Sequence, residues 1–153
     1  MSAGERECKF KVSDYYFRLT TEGVRLFSNK TCVHQTFRQV VDERAECAKS
    51  LSDYYTAEDM REHLAIIPSE GNIELEFTIL ETSAASIESA AEILKEALGA
   101  SVAFNDTVSL LLYDLVVEEN KTEVLTKLGL TAEAAARYKK SLKRTKTNVF
   151  PIR

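Results

Sequence analysis

The stretch 72-NIELEFTILETSAASIESAAEILKEALGASVAFNDTVSLLLYDLVVE-118 is the part of the chain that the rest must pack around. Ile73, Leu75, Phe77 and Ile79 alternate with Glu74, Glu76 and Thr78, which is the period of a strand with one wet face. Ile87, Ala90, Ala91, Leu94, Ala97 and Leu98 then form a helical stripe, with Thr82, Ser83 and Ser86 as candidate N-caps and Gly99 closing the end. Val102 and Phe104 before Asn105-Asp106 read as a short strand and turn. Residues 108–117 are apolar on both faces, and the expectation is a central strand covered on two sides; periodicity alone also allows a buried helix.

Upstream, Cys8, Phe10 and Val12, then Tyr15, Phe17 and Leu19, alternate with polar residues, and Thr20 to Gly23 offers a turn before Val24 to Phe27. This predicts a hairpin or three-stranded meander. From Gln35 the period changes, since Phe37, Val40, Val41, Ala45, Ala48 and Leu51 fall on one helical face opposite Arg38, Asp42, Glu43, Glu46 and Lys49. A second helix is expected after Thr56, with Met60 and Leu64 inward and Pro68 and Gly71 ending the segment.

Downstream, Val124, Leu125 and Leu128 suggest a short helix stopped at Gly129, and Thr131 caps a last helix that ends in basic residues. Pro151 marks TNVFPIR as extended. The expected fold is α+β: an antiparallel or mixed sheet with helices mainly on one face, divided into a compact unit over 1–136 and a basic helix end and tail over 137–153. The strand, helix and two-strand order of 73–117 is similar to that of ferredoxin-like α+β domains, an architectural likeness that implies no function.

A chain of 153 residues is long enough to bury roughly 68–70% of its unfolded surface in one core. With 44% hydrophobic and 29% charged residues its composition is that of a soluble globular protein, not a disordered or fibrous one. The charged start MSAGERECKFKV lacks a secretory signal's apolar segment, and the run from Leu110 to Val117 is interrupted by Asp114 and too short to span a bilayer. An intracellular, cytoplasmic protein with no membrane span is the expectation. Cys8, Cys32 and Cys47 are an odd, scattered set and read as reduced thiols, not a disulfide framework. The tetrapeptide SDYY at 13–16 and 52–55 sits in unrelated contexts and reads as coincidence.

Candidate chemistry is sparse. Cys32 and His34, two apart, would share one strand face and present two ligands to a metal, or a thiolate beside an imidazole. Cys47 and His63 are the other residues of suitable type, but the four match no zinc module, and Cys8 and Cys47 read as core thiols. No cofactor is expected. Glu74 with Glu76, and Glu118 with Glu119, read as solvated charges, not as a paired acid and base. The phosphate-loop, dinucleotide, GxSxG and HExxH patterns are missing from the sequence.

The feature that departs from a generic domain is the basic end. Residues 137–153 hold seven basic residues and no acid, so with a net charge of −4 overall the preceding 136 residues carry −11. Arg137, Lys140, Lys143, Arg144, Lys146, Phe150 and Arg153 are the candidate partner-binding residues. They suit an acidic protein surface, a nucleic acid's phosphates, or the protein's own acidic body. Val149, Phe150 and Ile152 need cover, either as a folded-back edge strand or on a partner. The expected function is therefore a non-catalytic interaction or assembly subunit that uses this segment and an exposed sheet edge or helix face to bind protein or a second copy of itself. The alternatives are a small enzyme or ligand-binding protein with its site near Cys32 and His34, and a nucleic-acid-binding accessory protein.

Overall fold

The computed structural model describes residues 4–119 and 127–144. Strand β1, Glu5–Val12, is followed by helix α1, Asp14–Thr31, then α2, Phe37–Ala45, a 3-10 turn at Ala48–Ser50, α3, Leu51–Tyr54, and α4, Ala57–Ile66. Strand β2, Ile73–Leu80, runs without a loop into α5, Glu81–Leu98, which is followed by α6, Phe104–Glu118, and α7, Ala132–Ser141. The architecture is mixed α+β, with far more helix than strand. The strands form a two-stranded antiparallel sheet, with Glu5 opposite Leu80 and Val12 opposite Ile73. Leu75, Phe77 and Ile79 of β2 and Cys8 and Val12 of β1 are buried against the helices, while Glu7, Lys9, Lys11, Glu74 and Glu76 stay wet.

The expected N-terminal meander is instead one strand and one long helix. Ser13 caps α1 by accepting the Tyr16 N–H, and Tyr16, Leu19, Thr20, Gly23, Leu26 and Phe27 form its buried stripe. The alternation of Tyr15, Phe17 and Leu19 is overridden because Phe17 faces outward. Gly23 makes no turn. It sits mid-helix, where a Cβ would lie 2.9 Å from Leu112 Cδ2, so its missing side chain lets α1 approach α6 closely.

The expected strands over 102–117 are corrected as well. Phe104–Glu118 is a helix, with Asp106 accepting the Ala103 N–H at its start. Every residue from Thr107 to Val116 is buried. A helix wrapped by neighbours on all sides loses its 3.6-residue signature, which is why the run resembles a central strand. The centre is thus strand, helix, helix, without the paired strands of the ferredoxin-like order.

Other readings agree in part. The helix expected from Gln35 to Leu51 is broken into α2, the 3-10 turn and α3, but Val40, Val41, Ala45, Ala48 and Leu51 are all buried. Thr36 and Gln39 form a capping box, Thr56 caps α4 and Thr131 caps α7. None of Thr82, Ser83 or Ser86 caps α5; it starts directly from Leu80, and Gly99 closes it at φ 69°. Leu64 is only partly buried on α4, where His63 is fully buried instead. The expected contributions of Val124 and Leu125 and of TNVFPIR lie outside the described residues.

Candidate functional site

The chemistry-bearing side chains converge where α2, α3, α4, α6 and α7 meet. At the centre is Asp114, which α6 carries into the core at 2% exposure. An isolated carboxylate there would be prohibitively costly, so it needs partners. Arg44 from α2, itself 5% exposed, bonds Asp114 Oδ2, and the Tyr55 hydroxyl donates to Oδ1. Arg144, just past α7, bonds Oδ1 through Nη2 at 2.8 Å. Both arginines also reach Glu118 one turn along α6, at 2.7 Å from Arg44 and 3.0 Å from Arg144. The Arg144 guanidinium lies 4.3 Å from the centre of the Tyr54 ring. Burial opposes the charge on Arg44, but Asp114 and Glu118 outweigh it and its pKa is raised. The Tyr55 hydroxyl is pushed up by burial and then by Asp114.

One layer further in, His63 of α4 is fully buried. Its Nδ1 lies 2.6 Å from Tyr138 Oη on α7, and its Nε2 lies 2.7 Å from Ser109 Oγ on α6. A neutral imidazole satisfies both contacts, donating from one nitrogen and accepting at the other. Burial pushes its pKa down from 6.5 to about 3. The Tyr113 ring packs at 4.8 Å from both His63 and Tyr55, and its hydroxyl donates to the Ser141 carbonyl at the end of α7.

A serine in contact with a histidine has the form of a nucleophile and its base, but Ser109 and His63 are both sealed from solvent. No substrate reaches the hydroxyl in this arrangement, and so weakly basic an imidazole makes a poor base near neutrality. What the arrangement does is tie α7 and Arg144 to the body.

The residues singled out from the sequence are dispersed. Cys32 is the C-cap of α1, exposed in the left-handed conformation at φ 59°, and His34 is exposed in the loop before α2, not on a strand. Cys47 is exposed, contrary to its expected place in the core, because the chain turns after α2; Cys8 is buried. His63 belongs to the Tyr138 and Ser109 contacts, so the four possible ligands do not gather, and no group of three or more metal-binding side chains occurs among the described residues. Glu118 is not a solvated charge but part of the double-arginine clamp, while Glu119 meets Lys30 at 3.3 Å.

Of the basic segment, Arg137, Lys139, Lys140 and Lys143 are exposed, Arg144 is half-buried, and Tyr138 and Leu142 are buried. Arg137 pairs with Glu62 of α4 at 2.8 Å, at 60% exposure. Between α4 and α7 runs a groove of about 230 Å³ lined by Glu58, Asp59, Glu62, Arg137, Lys140 and Ser141. Lys146, Phe150 and Arg153 lie outside the described residues. No helix among the described residues is long and apolar enough to cross a membrane.

Sequence reasoning missed Arg44, Tyr55, Asp114 and Ser109. One signal was available, since an aspartate inside the run Leu110 to Val117 demands a buried counter-charge. No family model matches the chain, and neither a curated protein nor a solved structure does.

Proposed function

We propose that the chain is a non-catalytic protein-interaction or assembly subunit of an intracellular, cytoplasmic complex, docking through its basic C-terminal segment. The observation that carries this reading is the way the segment is held. Tyr138, Leu142 and Arg144 anchor one side of it to His63, Asp114 and Glu118. Lys139, Lys140 and Lys143 stay exposed on a positioned element, beside an exposed Arg137 that pairs with Glu62. A basic face ordered before binding spares much of the entropy cost of association, which suits recognition of an acidic protein surface.

Deleting the segment would also remove Tyr138, Leu142 and Arg144 from the body, so the test is charge reversal at the exposed positions. The triple variant Arg137→Glu, Lys140→Glu, Lys143→Glu is expected to keep the fold and lose its co-purifying protein. Retention of the partner by a folded variant refutes the reading. If the material lost is nucleic acid, bound with a steep salt dependence, the accessory nucleic-acid role replaces it.

A further inference from the structure

Among the described residues β1 has one strand neighbour, β2, and the hydrogen bonds at the end of the ladder fix which backbone groups its other edge presents. Glu81 N–H donates to Gly4 O, whereas Leu80 N–H turns away to Asp42 Oδ1 on α2. Backbone groups in an antiparallel ladder point alternately toward and away from the partner. With Leu80 opposite Glu5, it follows that Arg6, Cys8 and Phe10 bond to β2, while the backbone groups of Glu7 and Lys9 point out from the free edge of β1. Gly71 N–H occupies the Lys11 carbonyl at 3.1 Å, which ends the open stretch at Phe10. The far edge of β2, by contrast, is met by Asp42.

An open edge of this kind is a template for another strand. We propose that a second copy of the chain occupies it, with β1 antiparallel to the partner's β1 and the two-fold axis at Cys8. A two-fold interface must be complementary to itself, which restricts the register. With outward-pointing backbone groups facing each other, the axis can fall at Glu7, Cys8 or Lys9. An axis at Glu7 sets two glutamates face to face, and one at Lys9 sets two lysines; like charges directly opposite destabilise a pair of strands.

At Cys8 the axis places Glu7 opposite the partner's Lys9, and Lys9 opposite the partner's Glu7. All of these side chains are on the wet face, where Lys9 already lies 3.7 Å from Glu76. In the same register Phe10, the last residue before the carbonyl that Gly71 occupies, lies opposite the partner's Arg6. The product is a four-stranded sheet in place of a two-stranded one, which alone is a marginal structure. This interface is separate from the basic face on α7 and does not depend on it.

Sedimentation equilibrium of the full chain tests the proposal. The wild type is expected at twice the 17.2 kDa chain mass. Glu7→Lys and Lys9→Glu each put like charges across the axis and are expected to weaken dimerisation by about tenfold or more, with circular dichroism confirming that each stays folded. Mixing the two variants restores opposite charges and is expected to recover the dimer as a heterodimer. A monomeric wild type overturns the proposal, including one whose edge is covered by the chain's own C-terminal residues. A dimer indifferent to both substitutions overturns it too, since its contact must then lie elsewhere.

Discussion

Acidification from neutrality to about pH 5 should weaken this fold, and His63 is the reason. The ring is enclosed by Ser109, Tyr113 and Tyr138, and burial holds its pKa at about 3 against 6.5 when unperturbed. Below pH 6.5 the unfolded chain therefore takes up a proton that the folded chain refuses, and stability falls with pH until the folded pKa is reached. The slope in that window is about 1.4 kcal/mol per pH unit, so about 2 kcal/mol is lost by pH 5, a sizeable part of a domain's usual margin. The Tyr113 and Tyr138 hydroxyls take no part, because burial pushes both upward. Asp59, raised by burial from 3.8, acts in the opposite sense, so the comparison stops at about pH 5. Urea unfolding followed by circular dichroism at several pH values between about 7.5 and 5 measures the loss. A change below about 0.5 kcal/mol would refute the reasoning, as would an equal slope in His63→Gln.

The double-arginine clamp makes a second prediction: Asp114→Ala leaves the buried Tyr55 hydroxyl without its acceptor and Arg44 with Glu118 alone, and should cost about 3–5 kcal/mol, measurable as a fall in the denaturation midpoint. Arg144→Ala should cost clearly less, since Arg44 still neutralises Asp114 and the lost side chain is half-buried; equal losses would show that the clamp is not centred on Asp114. Gly23→Val drives a branched side chain into Leu112 and should destabilise by about 1–3 kcal/mol, with partial recovery in Gly23→Val, Leu112→Ala. Cys32→Gly relieves a left-handed residue at the end of α1 and should stabilise by about 0.5–1 kcal/mol in thermal melts.

The parts of the fold that could be read from the sequence are those with one wet face. Glu74 and Glu76 alternate with Leu75 and Phe77 because β2 has solvent on one side, and Ile87, Ala90, Leu94 and Leu98 recur on α5 for the same reason. Where both sides are covered the pattern disappears, as in α6, whose residues 107–116 have no polar stripe to mark a period. Gly23 misled in another way, since a glycine after Thr20 and Thr21 resembles a turn when its actual role is to admit Leu112. Asp114 alone hinted at the polar core, and its partners were hidden for a topological reason. Arg44 meets Glu118, and His63 meets Tyr138, only because helices distant in sequence cross at one place.

The pairing of β1 with β2 also bears on how the chain reaches this state. The residues that face each other are 61 to 75 positions apart, from Val12 with Ile73 to Glu5 with Leu80, and α1 to α4 lie in the intervening loop. Helical turns form locally within microseconds, whereas closing a loop of this length carries an entropic cost before any ladder bond offsets it. The sheet is therefore expected to zip late, onto helices already collapsed. In hydrogen exchange the amides of Arg6, Cys8 and Phe10 should therefore exchange through a sub-global opening of the sheet, ahead of the enclosed amides of α6.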